Sequence, residues 1–218
     1  MTEAELREEI CRVGRSLFDR GLVHATAGNL SVRLDDGFLI TPTDACLGTL
    51  DPARLARVDA QGRQTSGDRA SKTLALHQRI YAAEPQAHCV MHTHSTSLVA
   101  LSLEGVWSVD DILPPITPYF VMKVGHVPLI GVFPPGDPVV AEQVAERIAA
   151  AQGRGVPIRA GMLDRLGPLV WHRTPALALA TLEELVETAT LWRSCSPRPA
   201  PLDAQKLDAL RAAFGVAW

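Results

Sequence analysis

The stretch "NLSVRLDDGFLIT", residues 29–41, limits the possible folds of this chain more than any other. Two runs rich in β-formers flank Asp35-Asp36-Gly37, a turn sequence that favours a tight hairpin and so an antiparallel pair. Around that hairpin the chain alternates helical and strand-like segments, which favours a mixed α/β architecture with helices packed on a sheet. No G-x-G-x-x-G or G-x-x-x-x-G-K motif supports a nucleotide-binding doubly wound fold, and no G-x-S-x-G supports a serine-hydrolase elbow.

The other elements read from local signals. Thr2 and Glu5 form a capping box ahead of a helix whose Leu6, Ile10, Val13, Leu17 and Phe18 share a face, and Gly21 ends it. Asp51-Pro52 opens a short helix. Ser71 is the expected cap of a helix carrying Leu74, His77, Ile80 and Tyr81, which Pro85 stops. "HCVMHTH" (88–94) reads as a strand, "STSLVALSLEG" (95–105) as a helix, and "VPLIGV" (127–132) as a strand. Asp137-Pro138 starts a helix with Val140, Val144 and Ile148 on one face. "PIRAGML" and "PLVWH" are two strands meeting near Leu166-Gly167, and Thr174-Pro175 starts a long helix with Leu179, Leu182, Val186 and Ala189 on one side. The Pro- and Ser-rich segment 194–203 reads as a linker to a short C-terminal helix.

Composition narrows the function classes. At 218 residues and 47% hydrophobic, the chain can bury a sizeable core. A net charge of −3 gives no basic surface for nucleic acid or for a membrane. No apolar run approaches the roughly 20 residues of a membrane span, and the first residues read as an amphipathic helix rather than a signal peptide. Cys11, Cys46, Cys89 and Cys195 are far apart and form no C-x-x-C pair, so neither a zinc knuckle nor a disulfide scaffold is indicated; a cytoplasmic location is expected.

The chemistry-bearing feature is "MHTHS" (91–95). On a strand, His92 and His94 project from the same face with α-carbons about 6.6 Å apart. Two imidazoles so spaced can turn toward one metal ion, or can serve as polar strand-end residues bonded to backbone and water; two ligands alone make a weak zinc site.

The histidine pair stands in a set of motifs. "TAGNLSVR" (26–33), "ITPTDACLGTLDP" (40–52), "SGDRASKTLALHQRIYAAEP" (66–85), "MHTHS" and "TPYFVMKVGHVPLIGVFPPGD" (117–137) occur in this order, and the chain resembles the class II aldolase/adducin family over roughly residues 5–195. Within that family the stretches at 41–52 and 117–137 look most like 3-oxo-tetronate 4-phosphate decarboxylases. The resemblance implies a class II aldolase-like domain over 1–196, followed by the 197–218 linker and helix. Its fold is expected to be three-layered, with a mixed, largely antiparallel central sheet flanked by helices, assembled as a homotetramer with sites between subunits. It implies Zn2+, or another divalent metal such as Mn2+ or Co2+, on His92 and His94. Gly28, Asn29, Thr43, Ser71 and Lys72 match the loops that hold a substrate phosphate, and Tyr119 matches a proton donor reaching a neighbouring subunit's site. The implied substrate is a small phosphorylated sugar acid.

Three positions depart from the family pattern. Thr73, with Tyr119 one of the two expected catalytic residues, stands where the family has its acid/base glutamate, and an unassisted threonine hydroxyl is a poor base at neutral pH. Leu166 stands where a third histidine binds the metal. Asp44 replaces a glycine of the phosphate loop, where a carboxylate repels phosphate unless it points away. The pattern leaves His24 and His126 without a role, which a surface histidine does not need; His172 lies too far along its strand, and Asp164 is an oxygen donor near the turn. Losing the glutamate harms aldol cleavage and epimerisation, because both need a base for a hydroxyl proton, whereas a 3-oxo acid loses carbon dioxide without one. The expected activity is therefore a metal-dependent carbon–carbon lyase, decarboxylating a 3-oxo-tetronate 4-phosphate to dihydroxyacetone phosphate. The alternatives are a sugar-phosphate aldolase or 4-epimerase, and a catalytically inactive adducin-like binding module.

Overall fold

The computed structural model describes residues 1–134 and 136–218; Pro135, inside the 117–137 motif, lies outside them. The chain opens with α1 (Glu3–Asp19), whose capping box is complete: Thr2 Oγ1 accepts from Glu5 N, and the Glu5 carboxylate accepts from Thr2 N. Its Leu6, Ile10, Val13 and Leu17 are buried, each contributing about 1.5–3 kcal/mol of transfer energy. The expected hairpin follows as β1 (Asn29–Leu34) and β2 (Gly37–Ile40), then two single-turn 3-10 helices, the second capped by Asp51. The remaining elements are β3 (Ala56–Asp59), β4 (Gln64–Ser66), α2 (Leu74–Ala83), β5 (Cys89–His92) and α3 (Thr96–Glu104). They continue with β6 (Leu129–Ile130), α4 (Pro138–Gly153), β7 (Ala160–Leu163), β8 (Gly167–His172), α5 (Pro175–Ser194) and α6 (Ala204–Phe214). A π-helical turn occupies Phe120–Val124.

Among the described residues eight strands form one sheet in the order β4-β3-β2-β1-β5-β8-β7-β6. Every neighbouring pair is antiparallel except β6 with β7, so the mixed, largely antiparallel sheet expected from the resemblance is present. Side-chain alternation divides the core between its two faces. Leu30, Val32, Leu39, Cys89, Met91 and Val170 pack with α1, α3 and α5, while Phe38, Ile40, Val90, Leu169 and Trp171 pack with α2 and α4. The result is helices, sheet, helices.

Four local expectations need correction. The helix after Ser71 begins later: Thr73 is the cap residue, without a side-chain cap bond, and Ser71 Oγ accepts from Thr73 N in a turn of its own. The strand expected over 88–94 ends at His92. Its neighbour explains why. Thr93 N donates to the carbonyl of Pro168, but a proline nitrogen has no hydrogen to return, so the ladder stops there. The strand expected over 127–132 shrinks to Leu129–Ile130, and β3 and β4 were not expected at all. On α5, Leu182 and Ala189 are fully buried while Leu179 and Val186 are only partly so; the buried face turns toward Ala178, Leu185 and Trp192.

Candidate active site

The first residue of β1, the last of β2 and β5, the last of β7 and the first of β8 all lie at one end of the sheet. That end, on the α2/α4 side, opens into a cleft of about 220 Å³. Its lining includes Gly28, Asn29, Thr43, Asp44, Ser71, Lys72, Thr73, His92, His94, Asp164 and Leu166. Eight of the nine expected site residues are therefore gathered in one place: Gly28, Asn29, Thr43, Ser71, Lys72, Thr73, His92 and His94. The ninth, Tyr119, is not among the lining residues; it precedes the π-helical turn with 61% of its surface exposed.

Backbone shape makes the cleft possible at two glycines. Gly28 has φ +86, and a β-carbon there would meet the His92 carbonyl at 2.9 Å. Gly167 has φ +139, and a β-carbon there would sit 2.0 Å from the Thr93 carbonyl. Each lets another segment pass against the stretch that carries the histidines.

Across the cleft from the histidines, Ser71, Lys72 and Thr73 lead into α2, whose dipole favours negative charge at this end; Ser71 N donates to the Thr41 carbonyl, Thr73 N to Ser71 Oγ and Leu74 N to the Ser71 carbonyl. Ser71 Oγ and Thr73 Oγ1 are 3.0 Å apart. Asp44 does not point away: its carboxylate lies 3.7 Å from Lys72 Nζ, and both side chains are largely exposed. The acid thus offsets the lysine rather than standing unopposed. Asp44 also has φ +55, the left-handed conformation that explains why a glycine suits this position.

Asn29 is held from behind by a residue whose importance only the structure reveals. His77, fully buried on α2, places Nε2 2.6 Å from Asn29 Oδ1 and Nδ1 2.7 Å from Ser31 Oγ; Ser31 Oγ is also 2.7 Å from the Tyr81 hydroxyl. Burial, with His92 nearby, pushes His77 down to about 3, so its ring is neutral and carries one proton. Nε2–H donates to Asn29 Oδ1, leaving Nδ1 to accept from Ser31, whose oxygen in turn accepts from Tyr81. This chain turns the Asn29 amide so that its NH2 donors are directed away from His77. The available signal was a histidine on an otherwise apolar helical face.

The histidine pair is set differently on its two members. His92 is 2% exposed, and its Nδ1 donates to the Pro168 carbonyl at 3.0 Å. Burial, then the neighbouring His94, lowers it to about 3, so Nε2 keeps a free lone pair. His94 is half-buried, and burial followed by His24 lowers it as well. Their ring centroids are 4.9 Å apart. Two imidazoles with bonds of about 2.0–2.1 Å to one tetrahedral ion have centroids about 5 Å apart. The pair therefore fits a divalent cation as half of its coordination shell. Among the described residues no three His, Cys, Asp or Glu side chains converge as they stand, and Leu166 lines the cleft with no donor to offer. Asp164 Oδ1 is buried and, among the described residues, has no hydrogen-bond partner. His126 is engaged elsewhere, 2.7 Å from Asp111 and stacked on Trp218, and His172 lies at the far end of β8.

An imidazole pair facing a helix N-terminus across one cleft, at the end of a largely antiparallel sheet, defines a class, and the chain belongs to the class II aldolase and adducin family: its residues 8–192 match the Class II Aldolase and Adducin N-terminal domain. Within it, the chain is 55% identical to the 3-oxo-tetronate 4-phosphate decarboxylase of Cupriavidus necator, over 100% of this chain and 99% of that protein. It is 43% identical to the 3-oxo-tetronate 4-phosphate decarboxylase of Escherichia coli K12, over 90% of each. Among solved structures it is similar to YgbL from Escherichia coli, with a TM-score of 0.88, 40% identity, and 96% of this chain and 99% of that one covered.

Proposed function

We propose that this chain is a metal-dependent carbon–carbon lyase that decarboxylates a 3-oxo-tetronate 4-phosphate, giving carbon dioxide and dihydroxyacetone phosphate. The observation that carries the reading is one cleft joining the His92/His94 pair to the N-terminal entry of α2. The names of the relatives at 55% and 43% identity support the choice of substrate.

In this reaction the bond between the carboxylate carbon and C2 breaks. Its electron pair moves toward C2 and the adjacent C3 carbonyl, and C2 then takes a proton. A bound divalent cation, zinc in our reading with manganese or cobalt as substitutes, supplies Lewis acidity for the negative charge that develops on oxygen. The chain's own residues do the rest. His92 and His94 hold the cation. The backbone at the entry of α2, with Ser71, Lys72, Thr43 and the Asn29 amide, binds the phosphate and fixes which end of the substrate faces the histidines. Thr73 shapes the cleft beside Ser71 and takes no proton, which decarboxylation does not require of it. Tyr119, exposed at 61%, brings a proton to C2 in the cleft of a neighbouring copy within a homotetramer. We place the protein in the cytoplasm, in keeping with its four free cysteines; among the described residues no helix is long and apolar enough to cross a membrane.

The test is direct. Purified protein given the 3-oxo acid phosphate with Zn2+, Mn2+ or Co2+ releases carbon dioxide and dihydroxyacetone phosphate. No release with any of the three sinks the activity. Retro-aldol products from a panel of sugar phosphates would favour an aldolase instead. A non-catalytic binding role is the second reading, favoured by Thr73 and Leu166; it is met if no substrate turns over while the oligomer stays intact.

A further inference from the structure

The His92/His94 pair leaves the cation short of the third protein donor that an open catalytic zinc site ordinarily has. Nothing on β7 or β8 supplies it at Leu166. Another imidazole, His24 on the loop leading into β1, approaches His94. Its ring centroid lies 6.3 Å from that of His94, and the two rings meet edge to face. Two rings sharing one tetrahedral ion need about 5 Å, so His24 must close about 1 Å on His94 and turn toward the side His92 occupies. It is also free to close that gap. His24 is exposed, its side chain makes no hydrogen bond among the described residues, and the next residue, Ala25, holds the left-handed φ +47 of a tight loop.

From this row of rings we infer that His24 is the third metal donor in this chain, swinging onto the ion already held by His92 and His94 to give a three-imidazole site. The inference rests on the metal-dependent reading above. It replaces a donor from the β7–β8 turn by one from the loop before β1, which also carries Gly28 and Asn29. Cation and phosphate binding would then be joined through five residues of backbone, 24–28 and the start of β1. Asp164 is the competing donor, because its Oδ1 is buried with no partner among the described residues; it follows β7 whereas His24 precedes β1, so substitutions separate the two.

The experiment uses the metal-free full chain and Zn2+ competed against a chromophoric chelator, with Co2+ absorption as a second readout of the donor set. His24→Gln, Asp164→Asn and His92→Gln are compared with wild type. Loss of a supporting partner of a metal ligand typically weakens binding about 10–100-fold. His24→Gln is expected to weaken Zn2+ binding by at least that much and to change the Co2+ ligand-field bands, while Asp164→Asn leaves both unchanged. Leu166→His in the His24→Gln background adds a donor beside the pair and should restore binding; the altered Co2+ bands of His24→Gln are the readout that a merely structural role for His24 would not give. Wild-type affinity and an unaltered Co2+ spectrum in His24→Gln overturn the assignment, and a matching loss in Asp164→Asn hands the role to that carboxylate. If wild type binds neither ion, this inference and the metal part of the proposed function fail together. If wild type binds and His24→Gln does not, yet no carbon dioxide is released, only the activity fails.

Discussion

The two sides of the cleft are built to different standards. The side we assign to the phosphate is over-determined: Asn29 is fixed by His77, His77 by Ser31, and Ser31 by Tyr81, all buried and all paired. The side we assign to the metal is under-determined: His92 is locked onto Pro168, but His94 is half-exposed, Leu166 contributes no donor, and Asp164 has an oxygen with no partner among the described residues. The contrast indicates which task tolerates change. A phosphate must be held in one register for the reacting carbon to be placed at all, whereas a cation keeps open positions for water and substrate in any working site. Loss of a donor can be absorbed by a neighbouring loop; loss of a buried polar partner leaves a desolvated group behind.

Substitutions can break this contrast in a graded way. The largest effect is expected from Gly167→Ala, which places a β-carbon against the Thr93 carbonyl at a positive φ. It should cost more than about 3 kcal/mol, read as a large drop in the urea midpoint or as insoluble protein. Next comes His77→Ala. It strands Asn29 and the Ser31 hydroxyl in the interior and should cost about 2–4 kcal/mol. It should also raise KM while leaving Zn2+ affinity within a few-fold of wild type; an equal loss of metal would erase the distinction between the two sides. His92→Gln should do the reverse, abolishing metal binding with a smaller change in unfolding midpoint.

Acid should act on both sides at once. His77 and His92 are each held near 3 against an ordinary value of 6.5, so the unfolded chain binds more protons than the folded one between those limits. Stability of the metal-free protein is therefore full above pH 6.5 and declines as pH falls from there toward 3. His77→Gln should flatten that decline in urea melts taken between pH 7 and 4.5; an unchanged slope would mean His77 is not neutral in the fold. The smallest effect belongs to the exposed Asp44–Lys72 pair. Freed of its acid by Asp44→Asn, Lys72 should bind inorganic phosphate a few-fold more tightly, and Lys72→Ala should weaken it by a similar factor, with both differences shrinking in high salt.

What could be read in advance was local. The capping box at Thr2 and Glu5, the Asp35-Asp36-Gly37 hairpin and the starts at Asp137-Pro138 and Thr174-Pro175 depend on residues within a few positions of one another, and each appears as expected. Apart from the Ser71 turn, where the hydroxyl meets Thr73 N two residues on, the failures are non-local. Strand β5 stops at His92 because a proline lies on the neighbouring strand, 76 positions away. The short, exposed β4 carries no apolar alternation, and exists only because β3 is beside it. For the site, the ordered motifs indicated which residues gather in the cleft. They did not indicate His77, whose partners lie on β1, nor the way Lys72 answers Asp44, nor the nearness of His24 to His94. Those facts belong to the packing of one segment on another.

The ends of the sheet carry a consequence for how copies can meet. Its edge strands are β4, three exposed residues, and β6, two residues. Neither offers enough open backbone to template a neighbouring strand, so the molecule is protected against the runaway edge-to-edge growth that threatens wide sheets. Any closed ring of this chain must then be cemented by side chains on helices and loops, a kind of joint that tolerates sequence drift at its surface without exposing the sheet to fibre formation.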